Sequence, residues 1–433
     1  MRTRRVLILS YYFAPTPSAG AVRMGGLVKY LPSEGWHTTV LTPGHSRRSP
    51  EIPDIVETGD ADMAVSIKSA LGLDSGAALK DLLSGGTTAP GSGLRLKARL
   101  IDTLKGMVAF PDTNRGWISI ATESARKTLA EQAFDLVLTT SPPPSAHVAG
   151  RRLKLATGLP WVADLRDLWS DDRFSTAPGW RRAIDRRFEQ RTLSKANALV
   201  TVSEPLAEEI RHLHPGVPTH TVLNGFDPDL VNSGEPLPDV FTITHTGTYH
   251  QGRRDPALLF EAAGNLIRRG LLPRDRFRIR LFVKHEPWLQ LMAERHGVAD
   301  IVEAVPWGSF EDAIRAQRRS HVLLLLHWGG PREAGVVTAK VFEYLAARRP
   351  ILVLGGGPGV LRDLLDDTGG GLQVNAVDRL EDQLLSWWEE FERTGTIGWK
   401  GKAERIECYS HARMAREFAA VFESALAGTD GPR

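Results

Sequence analysis

Arg5-Val-Leu-Ile-Leu9-Ser-Tyr-Tyr-Phe-Ala-Pro15-Thr-Pro-Ser-Ala-Gly20-Ala-Val-Arg23 is the stretch whose reading decides the fold. Residues 6–9 are apolar without alternation, as in a strand covered by helices on both faces. The loop that follows is long and stiffened by prolines. It ends at Gly20, after which the spacing of apolar residues turns helical over 22–33. A strand, a loop and a helix in that order make one βα unit of a parallel sheet. In such sheets ligands bind beyond the C-terminal ends of the strands. A glycine at a helix start lets backbone N–H groups approach a phosphate or a sugar hydroxyl. Taken alone, the stretch is equally a plain connector.

The same rhythm repeats outward from this unit. Strands are expected over 38–41, 135–138, 160–163, 198–202 and 219–223, with helices over 117–132, 145–157, 179–195 and 204–213. Residues 45–115 interrupt it as an insertion, with a Gly/Ser-rich loop over 84–93. Segment 94–108 places Arg95, Lys97, Arg99 and Lys105 among leucines. A basic amphipathic helix of this kind lies on a membrane surface or a partner, or packs on its own domain, which is the more ordinary outcome. Pro, Gly, Asp and Asn over 228–239 read as an interdomain linker. Strands then resume over 241–244, 278–282, 301–304, 322–326, 350–353 and 371–374, with helices over 256–269, 287–296, 310–319, 337–347 and 360–366. The expectation is two doubly wound α/β domains in tandem, over 1–228 and 240–410. A closing segment, 411–433, contains a helix over 412–426 that packs back on the first domain.

Bulk properties agree and exclude other classes. The 433 residues suit two domains of roughly 200 residues. A net charge of +3 without a basic tail argues against nucleic acid as a partner. Cys408 is the sole cysteine, which excludes an internal disulfide and cysteine-based zinc sites. The apolar run after Arg5 is shorter than an export signal, and no run approaches the ~18 residues of a membrane span. The expected location is cytoplasmic, with peripheral membrane contact through 94–108 left open. Asp60-Ala-Asp62 and Asp227-Pro-Asp229 do not end apolar strands, so no metal site is expected from them.

Three clusters carry the chemistry. Asp164-Leu-Arg166-Asp167 follows the strand over 160–163. It is either an internal ion pair or a hydroxyl-recognition site, because carboxylates accept strong hydrogen bonds from OH groups. His245-Thr-Gly247-Thr-Tyr249-His-Gln-Gly252-Arg253-Arg254-Asp-Pro256 places two arginines before a helix that the proline can start. Guanidinium forks suit a diphosphate. Finally, Gly329–Thr338 is glycine-rich and runs into a helix carrying Lys340 and Glu343. A helix N-terminus there would cradle a diphosphate, and Glu343, among apolar neighbours, needs partners such as two ribose hydroxyls.

Four stretches in order resemble the large retaining glycosyltransferase family of GT-B fold that includes many bacterial envelope and natural-product sugar transferases. They are Leu7-Ile-Leu-Ser-Tyr-Tyr-Phe-Ala-Pro15 with Gly20 and Arg23; Asp164-Leu-Arg-Asp167-Leu-Trp169; Val200-Thr-Val-Ser-Glu-Pro205 with Leu223-Asn-Gly-Phe-Asp227; and Lys340-Val-Phe-Glu343-Tyr-Leu-Ala-Ala347. The resemblance implies two Rossmann-like domains facing a cleft, the first for acceptor and the second for a nucleotide diphosphate sugar. It implies sugar transfer to an acceptor hydroxyl with retention at the anomeric carbon. Arg253, Arg254 and Asp164 take catalytic positions. Gly20, Gly247, Lys284, Gly335, Val336, Val337, Thr338, Lys340 and Glu343 take donor positions, and Arg23, Arg166 and Asp167 acceptor positions. Cationic side chains do the work of a metal, so no metal or cofactor is expected. The partners are the nucleotide sugar and a small or lipid-linked acceptor. The sequence departs from the family in two places. The first acid of a common Glu-x7-Glu pair is Gly335, with Glu333 nearby, and an expected arginine is Tyr249. Rival readings are a nucleotide-sugar epimerase or phosphorylase of the same fold, and a non-catalytic sugar-nucleotide-binding subunit.

Overall fold

The computed structural model describes residues 3–16, 18–44, 54–59, 110–171, 179–231, 234–283, 286–328 and 335–428. The expected loop over 84–93, the basic helix over 94–108, Asp60 and Asp62, Lys284, the glycines at 329–330 and Glu333 lie outside the described residues. The chain forms two compact units. One comprises the described parts of Met1–Val202 with Ala207–Thr221 and Arg416–Arg433; the other is Ser203–Leu206 with Val222–Ala415.

In the first unit the described strands are β1 (Arg4–Ser10), β2 (Trp36–Pro43), β3 (Ile55–Thr58), β4 (Leu136–Ser141), β5 (Trp161–Leu165), β6 (Ala198–Thr201) and β7 (Thr219–Thr221). They form one sheet in the order β3-β2-β1-β4-β5-β6-β7. Every pairing is parallel, with Ile8 level with Val40 on one side and Leu138 on the other. β1 and β2 bury nearly every side chain because helices cover both faces. The helices are α1 (Ala19–Tyr30), α2 (Trp117–Glu131), α3 (Ser145–Thr157), α4 (Gly179–Leu193) and α5 (Glu204–Leu213).

Two differences from expectation arise here. β3 falls inside the expected insertion: its four residues, Ile-Val-Glu-Thr, are too few to show a period, and tertiary pairing with β2 makes the strand. The Trp117 indole N–H holds it by donating to Thr58 Oγ1 at 2.8 Å. The first helix also starts earlier than expected, at Ala19, because the Ser18 hydroxyl caps it by accepting from Ala21 N at 3.2 Å. Gly20 is therefore inside the first turn and does not close the loop.

The second unit contains β8 (Phe241–His245), β9 (Phe277–Val283), β10 (Val302–Pro306), β11 (Val322–Leu326), β12 (Ile351–Leu354) and β13 (Gly371–Val374). Their order is β10-β9-β8-β11-β12-β13, again all parallel. Counted within the unit this is 3-2-1-4-5-6, the doubly wound order whose switch point lies between the first and fourth strands. β11 shows why such a strand reads as unbroken apolar sequence. Val322, Leu324 and Leu326 enter one core with Phe241, Phe260, Leu384 and Phe391, while Leu323 and Leu325 enter another with Phe342, Tyr344 and Leu361.

The helices of this part are α6 (Ala257–Arg268), α7 (Pro287–His296), α8 (Phe310–Arg318), α9 (Lys340–Ala346), α10 (Val360–Thr368), α11 (Val377–Thr394) and α12 (Ala403–Glu407); α13 (His411–Ala427) begins here, and from Arg416 on it belongs to the first unit. α11 and α12 were not expected. For α11 the signal was present in the buried spacing Leu380, Leu384, Trp387, Trp388, Phe391, which is helical. α9 begins three residues later than the expected 337, since Val337 turns into the core ahead of the helix. No helix among the described residues is long and apolar enough to cross a membrane.

Candidate functional site

The switch point of the second sheet, at the C-terminal ends of β8 and β11, gathers the polar groups of that unit. Glu343, on the first turn of α9, is 8% exposed. A carboxylate so placed requires partners. Its Oε2 accepts from Lys340 Nζ at 2.8 Å and from Gln317 Nε2 at 3.1 Å. Gln317, fully buried on α8, also donates to Thr246 Oγ1 at 2.9 Å. Thr246 N in turn donates to the Tyr344 hydroxyl at 3.1 Å. Burial pushes the Tyr344 phenol up to about 12, so it stays protonated and can donate to Thr246 Oγ1 at 3.3 Å. This network fixes Glu343 from one side. Among the described residues its other oxygen, Oε1, makes no hydrogen bond.

The loop after β8 is shaped by two close approaches. His245 Nδ1 donates to the Leu324 carbonyl at 2.7 Å, which docks the ring against β11. A Cβ on Gly247 would lie 2.8 Å from His245 Nε2, so this position must stay bare for the ring to fit. Burial holds the His245 ring down at about 4, well below an ordinary imidazole, and therefore neutral. Tyr249 packs edge-on against it at 4.8 Å. The chain then closes a turn in which His250 N donates to Arg254 O at 3.0 Å and Arg254 N to His250 O at 2.8 Å. Gly252 provides the left-handed residue of that turn, at φ 75°.

The turn presents Arg253 and Arg254 on one aromatic ring. Their Cζ atoms lie 5.5 Å and 5.8 Å from the centroid of Trp328, at the end of β11. His250 stands 5.2 Å from the same ring. Arg253 is exposed, whereas Arg254 is half-buried and donates to Thr248 Oγ1 at 3.3 Å. Burial lowers the Arg254 pKa from its usual value. Two guanidinium groups on a shared ring, beside a helix bearing Lys340 and Glu343, form a surface suited to a diphosphate and a sugar diol.

Segment 335–339 leads into α9. The Gly335 carbonyl accepts from Ser203 Oγ at 2.6 Å, and a Cβ at 335 would meet Pro205 Cβ at 2.9 Å. That contact is the physical reason this position is bare where the family pattern has an acid. The Val336 carbonyl faces His327 Nε2 at 3.2 Å, Val337 is buried, and the Thr338 carbonyl accepts from Val341 N.

In the first unit, the residues singled out at the ends of β1 and β5 do come together, but not as expected. Asp164 is fully buried and Arg23 is 1% exposed. Arg23 Nη2 donates to Asp164 Oδ1 at 2.9 Å and Nε to Oδ2 at 3.2 Å; Thr140 Oγ1 adds 2.9 Å to Oδ2. The Arg23 guanidinium also lies 5.0 Å from the Phe418 ring. The structure thus gives Asp164 the internal ion-pair reading, with Arg23 as its partner in the interior. The Arg166 guanidinium occupies the space where a Gly20 side chain would be. Burial lowers the Arg166 pKa against the opposing pull of Asp164 and Asp167. Asp167 remains exposed.

Residues 18–225 match the glycosyl transferase 4-like domain family. The chain has the GT-B fold, and its first unit carries the match to that domain family. Sucrose-phosphate synthase from Thermosynechococcus elongatus superposes at TM-score 0.65 with 13% identity, over 98% of this chain and 100% of that one. Anabaena HepE in complex with UDP-glucose gives TM-score 0.61 and 13% identity, over 97% and 99%. A putative UDP-N-acetylglucosamine 2-epimerase from Listeria monocytogenes gives TM-score 0.54 and 14% identity, over 99% and 98%. No curated protein sequence matches the chain.

Sequence reading missed Thr246, Gln317, Trp328 and Tyr344. Gln317 had a signal: a carboxamide three residues after Ile314, on the buried stripe of α8. Trp328 had one too, standing two residues beyond an apolar parallel strand, where ligands bind. Thr246 and Tyr344 had none, since only the packing of α9 on β8 and β11 makes them partners.

Proposed function

We propose that the chain transfers a sugar from a nucleotide diphosphate sugar to an acceptor hydroxyl with retention of anomeric configuration. The observation that carries this is Glu343, oriented by Lys340 and Gln317 with Oε1 left open, beside Arg253 and Arg254 on Trp328. Glu343 takes the vicinal ribose hydroxyls. The two arginines meet the diphosphate and stabilise the charge that grows on it as the C1–O bond breaks. The acceptor oxygen attacks C1 from the face the diphosphate leaves, and the acceptor proton passes to a β-phosphate oxygen. Thus no metal is needed for leaving-group departure. Val336 and Thr338 contribute backbone to the donor. Arg166 and exposed Asp167 of the first unit are assigned to the acceptor. HepE, solved with UDP-glucose, supports a nucleotide sugar as donor.

The test is calorimetric titration of nucleotide diphosphates and their sugars, then turnover with and without an acceptor. Glu343→Gln keeps the shape but loses the charge-assisted bonds, each worth about 1.5–3 kcal/mol. It should weaken donor binding roughly 10- to 150-fold at an unchanged melting temperature. Conversion of donor to an epimer without acceptor would replace this reading with the epimerase one. Binding without any turnover would make the chain a sugar-nucleotide-binding subunit.

A further inference from the structure

We propose that the groove between α8 and the outer strands β9 and β10 binds a phosphate dianion, free or carried by a small metabolite. The groove has a volume of about 400 Å³, within the range of small-molecule sites. It exists because the sheet is covered unevenly. Central β11 buries all five of its side chains, whereas edge strand β10 buries none. Parallel strands are ordinarily covered on both faces. On β9, Phe277, Ile279 and Leu281 enter the core, and the other face carries Arg278, Arg280 and Phe282. Phe282, Val305 and Ala316 give the groove an apolar lining.

The charges around this groove are unbalanced. Arg280 of β9, Arg315 of α8 and Arg319 just past the end of α8 line it. Arg315 is matched by Asp312 at 3.3 Å. Glu303 is shared: Oε1 lies 3.5 Å from Arg278 Nε and Oε2 3.2 Å from Arg280 Nε. The second approach is off-line, and the buried Arg280 Nε–H makes no hydrogen bond among the described residues. Arg319 is exposed and has no acidic partner among them. Four guanidinium groups against two carboxylates leave an excess of two positive charges, the complement of a phosphate dianion. Guanidinium forks match phosphate oxygens, and a buried N–H without an acceptor calls for one. The donor residues stand elsewhere on the same helix. At about 100° per residue, Asp312, Arg315, Ala316 and Arg319 share one side of α8, and Gln317, which holds Glu343, lies round the helix from them. The groove is therefore separate from the surface formed by Arg253, Arg254 and Glu343, and the proposal does not depend on the reading of that surface.

The experiment is calorimetric titration of the full chain with inorganic phosphate, ribose 5-phosphate and ribose, at low and high salt. The same titrations are run on Arg253→Gln/Arg254→Gln, in which the diphosphate surface is disabled. In both proteins the two phosphates should bind, more weakly as salt rises, and ribose should not. Tighter binding of ribose 5-phosphate than of inorganic phosphate assigns the groove to a phosphorylated metabolite; equal binding assigns it to free phosphate. Arg319→Gln removes no ion pair, so it should melt with the parent and weaken both phosphates about tenfold. Arg280→Gln/Arg319→Gln should abolish their binding. No binding of either phosphate, ribose binding as well as its phosphate, loss of binding in Arg253→Gln/Arg254→Gln, or an Arg319→Gln that binds like the parent would overturn the proposal.

Discussion

Replacing Asp164 by Ala decides between a catalytic and an architectural carboxylate. The variant removes the carboxylate to which Arg23, at 1% exposure, donates two hydrogen bonds, and with it the acceptor of Thr140 Oγ1. Breaking a buried pair from one side costs about 3–5 kcal/mol. For a unit of this size each kcal/mol shifts the melting temperature by about 2–4 °C, so a fall of roughly 6–20 °C is expected. Arg23→Met/Asp164→Leu removes both charges and should recover most of that loss, because a well-packed apolar pair replaces a buried ion pair at little cost. Thermal melts and urea titrations of Arg23→Met, Asp164→Leu and the double complete a mutant cycle. Turnover measured well below the melting point should stay within a few-fold of the parent in the double variant. A single Asp164→Ala that melts with the parent yet loses turnover would refute the reasoning and return Asp164 to the reacting sugar.

Other expectations follow from the second unit. Trp328→Ala frees Arg253 and Arg254 from their shared ring; at about 0.5–1 kcal/mol per cation–π contact, kcat/KM should fall roughly 5- to 30-fold. Trp328→Phe should restore most of it, and a loss seen equally in both would exclude the ring as their support. Gly335→Glu restores the acid of the family pattern but places a Cβ 2.9 Å from Pro205 Cβ. It should destabilise by about 1–3 kcal/mol, as read by urea unfolding, without raising activity. His245 predicts a pH dependence. Burial lowers its folded pKa from 6.5 to about 4, so between those values the unfolded state binds the extra proton. Stability from this group is complete above about 6.5 and is lost as pH falls towards 4. His245→Gln should flatten that part of a melting-temperature profile, and an unchanged slope would place the titration elsewhere.

How much of this was legible in sequence depends on the range of the interaction. Unbroken apolar runs such as Val322–Leu326 announce strands covered on both faces, and the alternation of strands with helices sets the doubly wound class. Those signals are local, because backbone period and burial are written within a few residues. Gly247, and the charged Arg253, Arg254, Lys340 and Glu343, were visible where parallel strands end. The partners of those residues were not. That Glu343 is oriented by Gln317, that Trp328 carries both arginines, and that Pro205 excludes a side chain at Gly335 depend on segments from 26 to more than a hundred residues apart in sequence. The same holds for Asp164. Its sequence neighbour Arg166 looked like its natural partner, but the sheet order brings Arg23 from α1 to it, 141 residues away. Composition and periodicity determine which elements form; side-chain pairing, and with it the difference between a buried ion pair and a ligand contact, is decided only when strand order closes in three dimensions.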